Sequence, residues 1–106
     1  MSYSINYSNE AKQDIYSIHK YITEQLSAPD AAAKQLRHIM DEVEKLDALP
    51  FRHPLYEEEP WHSKGLRFFP VDNHLVFYLP NKDSQKVYIL RIMYGKRDLS
   101  QQLKSK

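Results

Sequence analysis

Residues 86–98 constrain the fold more than any other stretch of the chain. As a strand they present two apolar faces, one formed by Val87, Ile89 and Met93 and the other by Tyr88, Leu90, Ile92 and Tyr94. A strand that is apolar on both faces is typical of the interior of a sheet, where both sides are covered. Arg91 shares the alternating face of Val87. Because a guanidinium stays charged and is costly to bury unpaired, we predict that Arg91 either meets an acidic partner or points into a wet groove that binds anions.

Two shorter apolar stretches, residues 65–71 and 74–79, favour two more strands before this one. Pro70 cannot donate a backbone hydrogen bond, so the first of these strands is predicted to have an edge or a bulge there. The turn residues 72–73 and 80–83 leave only short links between the three strands. Short links of this kind predict an antiparallel meander.

The first half of the chain predicts a short strand and two helices. Residues 3–7 alternate apolar and polar side chains, as in a strand with one buried face, and Ser8 can cap the helix that follows. Ser27 and Asp30 resemble a capping box for the second helix, and Pro29 fits its first turn. Each helix carries one apolar stripe at helical spacing. The stripes are Ala11, Ile15, Ile18, Ile22 and Leu26 in the first helix, and Ala32, Leu36, Ile39, Val43 and Leu46 in the second.

These elements predict an α+β fold with the order β-α-α-β-β-β. The second helix stops at Pro50, and the short link between the helices favours a helical hairpin packed on one face of a small antiparallel sheet. Residues 50–64 contain three prolines and three consecutive glutamates, which predicts a long connecting loop. We expect nothing in the chain to cover the second face of the sheet, so that this face forms a concave surface or binds a partner.

Length and composition narrow the class of protein. The 106-residue chain predicts a single domain over residues 1–106, whose polar tail, residues 99–106, we expect to be a frayed helix or mobile. There is no cysteine, no Gly-rich phosphate loop and no close ligand spacing among the five histidines, so we expect no disulfide, no cofactor and no metal site. No signal peptide is evident, and no apolar run approaches the ~18 residues of a membrane span, so we expect a cytoplasmic protein that does not bind a membrane.

The charge is unevenly divided between the two halves of the chain. Residues 1–51 carry five basic and eight acidic side chains, whereas residues 52–106 carry ten and six. A net charge of only +1 weighs against a broad nucleic-acid surface, because proteins that hold nucleic acid through phosphate contacts are usually more basic. A focused anion site in the second half is compatible with this distribution.

The predicted meander supplies the side chains that could carry chemistry, namely Arg67, His74, Tyr78, Arg91, Tyr94, Lys96 and Arg97. Arginine and lysine suit a phosphate or a carboxylate, and tyrosine and histidine can transfer protons. The structural alternative is that the tyrosines are sheet aromatics with solvated hydroxyls and that Arg91 forms an ion pair. The sequence favours neither interpretation over the other for a single residue.

Taken together, the motifs resemble those of the RelE/ParE superfamily, the toxins of type II toxin–antitoxin pairs. The helices contain A-K-Q-D-I at residues 11–15, Y-I at 21–22, Leu46, and L-P at 49–50. The meander contains G-L-R at 65–67, F-P-V at 69–71, N-H-L-V-F-Y at 73–78 and I-L-R-I-M-Y-G-K-R-D at 89–98. The resemblance covers nearly the whole chain. It implies a growth-arresting toxin that forms a hetero-oligomer with an antitoxin encoded beside it, which wraps a helix and a strand across the toxin.

The resemblance leaves the cellular target open. ParE-like members are associated with inhibition of DNA gyrase, whereas RelE-like members are metal-independent endonucleases that cut mRNA on the ribosome. The meander motifs resemble ParE-like members more, although Tyr94 lies where those members often have histidine. The chain lacks the lysine-rich strand of the RelE-like nucleases, and His74 lies where an arginine is common in them. A third interpretation is a non-toxic member that only binds its antitoxin.

Each target implies a different role for the same side chains. A nuclease would use arginines to stabilise the transition-state charge at the phosphate, and Tyr94 or His74 to move the 2′-hydroxyl proton. The catalytic candidates are then Arg67, His74, Arg91, Tyr94 and Arg97. A gyrase inhibitor would not be an enzyme. Its candidate binding residues are Arg67, Tyr78, Lys96 and Arg97.

Overall fold

Two long helices pack on one four-stranded sheet in the computed structural model, which describes residues 2–95. The elements are β1 Ser4–Tyr7, α1 Asn9–Lys20, α2 Pro29–Glu44, α3 Trp61–Lys64, β2 Arg67–Val71, β3 His74–Asn81 and β4 Lys86–Tyr94. α1 continues into a π-helical segment, Tyr21–Gln25, and α2 continues into a 3₁₀ turn, Lys45–Asp47. The predicted α+β class is confirmed. The predicted tail, residues 99–106, lies outside the described residues.

The strand order is β1-β4-β3-β2, so the doubly apolar strand β4 lies inside the sheet, as predicted. β2, β3 and β4 form the predicted antiparallel meander. β1 pairs with β4 in parallel, so the sheet is mixed and not wholly antiparallel as predicted. β3 extends through Pro80 to Asn81, where the sequence had predicted a turn. β2 pairs only with residues 74–78 of β3, so at Pro80 β3 has a neighbouring strand, β4, on one side only. Because the other side is unpaired there, the missing N–H group of Pro80 is tolerated.

A β-bulge in β4 changes which side chains share a face. The register between β3 and β4 shifts between Phe77 and Tyr78, so that Leu90 is an extra residue in β4. The alternation predicted for β4 is therefore wrong beyond this point. Ile92 shares the helix-facing cluster with Val87 and Ile89, whereas Met93, which was predicted to share their face, packs in the cluster on the opposite face.

The first part of α1 is bound to this bulge. Ser8 caps the helix as predicted, because its Oγ accepts a hydrogen bond from the N–H of Ala11 at 2.9 Å. The same hydroxyl donates to the carbonyl of Leu90 at 2.8 Å. Farther along α1, Asp14 Oδ2 accepts from the N–H of Ile92 at 2.9 Å. Side chains of Ser8 and Asp14 thus satisfy backbone groups on either side of the bulge.

The link between α1 and α2 differs from the prediction. Ala28 is the N-cap of α2 and no side chain caps that helix, so the predicted capping box of Ser27 and Asp30 is wrong. Ser27 instead has φ +50° in the left-handed region. Pro29 lies in the first turn as predicted. Leu26 is 57% exposed, because the π-helical segment rotates the end of the predicted stripe out of register with the core.

Hydrophobic clusters lie on both faces of the sheet. The larger one, under α1 and α2, includes Ala11, Ile39, Val43, Leu46, Phe69, Val76, Tyr78, Val87, Ile89 and Ile92. The smaller one, on the opposite face, contains Leu66, Phe77 and Met93. Tyr56 and Trp61 pack against this second cluster. The expectation that nothing covers the second face is therefore wrong, because residues 50–64 fold back across part of it and form α3 there.

Candidate functional site

An open groove of about 640 Å³ lies between α1 with its π-helical extension and the adjoining ends of β3 and β4. Ile18, Ile22 and Leu26 supply its apolar wall, and Tyr21 is 57% exposed along it. Its polar and aromatic lining includes Asp14, Asn73, His74, Arg91 and Tyr94. We refer to the space enclosed by these residues as the α1 groove. Its apolar wall and few polar groups are typical of a binding cleft.

Arg91 lines the α1 groove and has an acidic partner in α1. Its Nε donates to Asp14 Oδ2 at 2.8 Å, and a terminal nitrogen donates to Oδ1 at 2.9 Å. Only 17% of the Arg91 side chain and 13% of the Asp14 side chain are exposed. The hydrogen bonds to Asp14 raise the pKa of Arg91. The two outcomes predicted for Arg91 therefore coincide, since an ion pair holds this arginine at the wall of a groove.

His74 and Tyr94 face each other across β3 and β4 at the end of the α1 groove. Their ring centroids are 5.9 Å apart in an edge-to-face arrangement. His74 Nδ1 is buried and has no hydrogen-bond partner among residues 2–95. Burial lowers the pKa of His74, and the Asp72 carboxylate opposes that shift. A neutral imidazole next to a half-exposed phenol is thus the arrangement at neutral pH.

Arg67 lies in a second group of residues, where β2 meets the segment after α2. One of its terminal nitrogens donates to the carbonyls of Phe51 at 3.1 Å and His53 at 2.6 Å. The guanidinium also lies 5.2 Å from the centroid of the Phe51 ring. Tyr78, opposite Arg67 in β3, donates its hydroxyl to the carbonyl of Pro50 at 2.7 Å. We refer to Pro50, Phe51, His53, Arg67 and Tyr78 as the Arg67 cluster.

Two rings of the Arg67 cluster, those of Tyr78 and His53, are buried or partly buried, whereas the Phe51 ring is exposed. Tyr78 is fully buried, and this burial raises the pKa of its hydroxyl to about 12. The predicted binding residue Tyr78 therefore contacts no partner in this conformation and instead anchors Pro50. His53 stacks on Phe69 with centroids 4.3 Å apart. Burial, followed by the nearby charge of Arg52, lowers the pKa of His53.

The structure divides the predicted site residues between these two places. His74, Arg91 and Tyr94 meet in the α1 groove, whereas Arg67 and Tyr78 belong to the Arg67 cluster. Arg67 is paired with Tyr78 of β3, which lies four residues, or about 13 Å in an extended strand, from His74. Arg91 is paired with Phe77 of β3 and therefore lies two strands away from Arg67. The remaining candidates, Lys96 and Arg97, lie outside the described residues.

The sequence predicted an acidic partner for Arg91 as one of two outcomes, but it did not identify Asp14 or Asp72 as acidic groups of the site. Asp14 was noted only as part of the A-K-Q-D-I motif, although its carboxylate binds Arg91. Asp72 Oδ2 lies 2.8 Å from His38 Nδ1 and accepts from Gln35 Nε2 at 3.0 Å, which joins α2 to the turn before His74. The hydrogen bond from His38 lowers the pKa of Asp72. The motif was the only signal for Asp14, and none in the sequence marked Asp72.

Residues 2–95 form neither a cluster of metal ligands nor a helix suited to a bilayer. No group of three or more histidine, aspartate or glutamate side chains in this part of the chain is arranged to hold a metal ion. In the same residues, no helix combines the length and the apolar character that crossing a bilayer requires.

Comparison with known proteins identifies relatives of this fold. The family model of the ParE toxin of the type II toxin–antitoxin system parDE matches residues 5–99. The solved structure of a chromosomal ParDE system from P. aeruginosa superposes with a TM-score of 0.72 at 20% identity, covering 89% of this chain and 97% of that chain. The RelBE2 toxin–antitoxin complex from Mycobacterium tuberculosis gives 0.65 at 16% identity, covering 89% and 99%. An archaeal RelE–RelB complex from Pyrococcus horikoshii OT3 gives 0.61 at 14% identity, covering 92% and 99%.

The structural matches and the family match support different conclusions. No curated protein sequence matches this chain. At 14–20% identity, the solved structures show that the fold is shared, which confirms the RelE/ParE-like architecture. The family match extends over most of the sequence and includes both the α1 groove and the Arg67 cluster. The chain therefore belongs to the ParE toxin family of type II toxin–antitoxin systems.

Proposed function

We propose that this toxin arrests growth by inhibiting DNA gyrase through protein–protein contact and that it does not cut RNA. The observation that carries the proposal is that both described arginines of the candidate nuclease set are engaged within the chain. Arg91 is bound by Asp14, and Arg67 is bound by backbone carbonyls. The two arginines also belong to separate places on the sheet. Since hydrogen bonds to a phosphate require distances near 3 Å, the two arginines do not converge on one scissile phosphate in this arrangement.

A supercoiling assay tests this proposal. Purified toxin added to gyrase, ATP and relaxed plasmid should decrease supercoiling as the ratio of toxin to gyrase increases. Relaxation of the same plasmid by topoisomerase I should be unaffected, which controls for binding of the toxin to DNA. Full gyrase activity at a large excess of folded toxin would contradict the proposal.

A ribosome-dependent endonuclease is the second candidate, and the α1 groove is the observation that favours it. The neutral His74, the Tyr94 hydroxyl and the Arg91 guanidinium line one open space. In that reaction the 2′-oxygen would bond to phosphorus while the 5′-oxygen leaves. His74 would accept the 2′-hydroxyl proton, Tyr94 would protonate the leaving oxygen, and Arg91 would stabilise the added negative charge.

Primer extension on ribosome-bound mRNA tests the second candidate. A nuclease should give discrete cuts that disappear in His74→Gln and Tyr94→Phe. The matched control is Tyr88→Phe, which alters a tyrosine of similar exposure, 38% against 40%, outside the α1 groove. Absence of cuts while growth still stops would eliminate this candidate and leave the gyrase proposal in place.

An antitoxin is the partner that the family and its neighbours support. The solved neighbours include toxins in complex with their antitoxins, RelBE2 and the archaeal RelE–RelB complex. We propose that the cognate antitoxin forms a hetero-oligomer with this chain and covers the exposed Tyr21 and Leu26 of the α1 groove. Co-expression of a neighbouring reading frame should restore growth, and Leu26→Glu should weaken that rescue. Induction of the lone chain without any growth defect would instead support a non-toxic family member that only binds its antitoxin.

A further inference from the structure

Two large apolar side chains are held in solvent by a well-anchored backbone after α2. Leu49 is 59% exposed and Phe51 is 44% exposed. The buried Tyr78 hydroxyl fixes the carbonyl between them, that of Pro50, and Arg67 fixes the carbonyl of Phe51 itself. The exposure of Leu49 and Phe51 therefore does not come from a loosely attached loop. An apolar surface that is fixed before binding loses little conformational entropy when a partner covers it.

The surroundings of Phe51 resemble the centre of a protein interface. The Tyr3 ring meets Phe51 edge-on at 6.2 Å, and the Arg67 guanidinium lies against the same ring at 5.2 Å. Arg52, the next residue, is exposed. Aromatic residues and arginine are enriched among the residues that contribute most to protein–protein affinity. We term Leu49, Phe51 and Arg52, with Arg67 supporting them, the Phe51 patch.

The charge of the Phe51 patch is positive. Within residues 2–95, Arg52 forms no ion pair, and the one hydrogen bond of its side chain is from Nε to His53 Nε2 at 3.2 Å. Glu42, a carboxylate close enough to be influenced by Arg52, is hydrogen-bonded to Lys45 at 2.7 Å. The patch therefore presents an apolar centre beside a guanidinium that forms no ion pair within residues 2–95, while the nearby Glu42 is bonded to Lys45.

We infer that the Phe51 patch is the surface with which the toxin contacts its target protein, and that it binds an acidic segment presenting an apolar side chain. This inference rests on the proposed function, in which the toxin acts through protein contact. Charge complementarity identifies the occupant, because carboxylates satisfy Arg52 while an apolar side chain covers Phe51 and Leu49. The patch lies in the region of the Arg67 cluster, so it leaves the α1 groove free for the antitoxin.

Two other occupants fit this charge poorly. In a symmetric contact between two copies, the same patch faces itself, which would bring the arginines of both copies together. The segment of residues 96–106 carries four basic side chains and one acidic one, so it too repels a basic patch. An acidic partner is the occupant that the charges favour.

The experiment compares patch variants with matched controls at exposed positions of α2. The patch variants are Phe51→Ser and Arg52→Glu, and the controls are Met40→Ser and Lys34→Glu. Each purified variant is tested by circular dichroism and thermal unfolding, then for binding to immobilised gyrase and for growth arrest on induction. Arg52→Glu keeps the test decisive if Phe51→Ser fails to fold, because Arg52 is exposed. We expect both patch variants to lose about tenfold or more in affinity and to arrest growth less, and both controls to match the natural chain.

The outcomes separate this inference from the proposed function. If the natural toxin binds gyrase and folded patch variants bind equally well, the inference is overturned while the gyrase proposal stands. If the natural toxin arrests growth without binding gyrase, the gyrase proposal fails. Growth arrest then decides the inference: loss in the patch variants supports a contact with another target, and full arrest overturns it. If the natural chain does not arrest growth, both the gyrase proposal and the inference on the Phe51 patch are wrong.

A nucleic-acid target is distinguished by one further variant. Phe51→Leu keeps an apolar side chain but removes the aromatic face on which a base could stack. A protein partner should tolerate this change with a loss of no more than about threefold, since leucine keeps most of the apolar area that the partner covers. If Phe51→Leu abolishes growth arrest as completely as Phe51→Ser while the chain stays folded, the patch contacts bases, and the inferred protein partner is wrong.

Discussion

Arg91 and Arg67 lie two strands apart in one sheet, and the chain holds them in different ways. Arg91, in the α1 groove, is bound by the Asp14 carboxylate. Arg67, in the Arg67 cluster, is bound by the carbonyls of Phe51 and His53. A carboxylate neutralises the guanidinium it binds, whereas neutral carbonyls leave its charge in place. The comparison indicates that Arg91 mainly holds α1 to the bulged strand, and that Arg67 holds a loop in position while keeping that surface positive.

The largest loss of stability should come from removing the Asp14 carboxylate, which binds Arg91. Asp14→Ala leaves a mostly buried guanidinium unpaired and removes the acceptor for the N–H of Ile92. Breaking a buried ion pair in this way should lower the free energy of unfolding by about 3 kcal/mol, measured by urea denaturation. The matched control is Asp41→Ala, which changes an exposed aspartate of α2.

A double variant sharpens this prediction. Asp14→Leu with Arg91→Met replaces the pair by apolar side chains of similar size, and should recover the part of the stability that Asp14→Ala loses to the unpaired charge, while the N–H of Ile92 still lacks its acceptor. Recovery would show that the unpaired charge causes the loss. If Asp14→Ala unfolds at the same urea concentration as the natural chain, the Asp14–Arg91 pair does not hold α1 to the sheet.

The next effect concerns the anchor of the Arg67 cluster. Tyr78→Phe leaves the carbonyl of Pro50 without its buried donor, and should lower the free energy of unfolding by about 1.5 kcal/mol. Amide hydrogen exchange should become faster in residues 49–56 and stay unchanged in α1. Tyr88→Phe, at a tyrosine that is 38% exposed, is the control and should change stability by less than about 0.5 kcal/mol. Uniform acceleration of exchange would contradict a local anchoring role.

Periodic features of the sequence predicted most of the fold. The stripes of α1 and α2, the interior position of β4 and the cap at Ser8 all depend on local spacing, which a single sequence shows. Leu90 was not predicted as a bulge residue, because an inserted residue in an apolar strand leaves no compositional signal. That one residue decided the face of Met93. Trp61, in a segment assigned to a loop, packs on the sheet through contacts distant in sequence.

The candidate site was predicted as a set of residue types and not as an arrangement. Spacing along the meander placed Arg67, His74, Arg91 and Tyr94 in one short segment of sequence. Their division between two places depends on strand register, and their bonds depend on Asp14 and on the loop after α2. Such partners come from distant segments whose side chains have no distinctive pattern, so a single sequence could not identify them.

The pH dependence of stability should test the α1 groove and the Arg67 cluster separately. Each contains one histidine, His74 in the groove and His53 in the cluster, and burial lowers the pKa of both. The unfolded chain takes up these protons near pH 6.5, and the folded chain does so only at lower pH. The unfolded state thus binds more protons below that pH, and the free energy of unfolding should fall as the pH decreases from 7.5 to 5.5. Urea denaturation of His53→Gln and His74→Gln should show a smaller fall in each. An unchanged fall in either variant would show that its histidine does not contribute.

The smallest loss of stability should come from the exposed contact between His38 of α2 and Asp72, in the turn beside the α1 groove. His38 and Asp72 are about half exposed, so His38→Ala should lower the free energy of unfolding by less than Tyr78→Phe does. Asp72 has φ +55°, and Asp72→Asn is the suitable partner change, because asparagine tolerates that backbone conformation. A double-mutant cycle with these two variants measures the coupling between the side chains. Coupling as large as the stability lost in Asp14→Ala would contradict this order of effects, since the turn that carries His74 would then depend on α2 as strongly as β4 depends on α1.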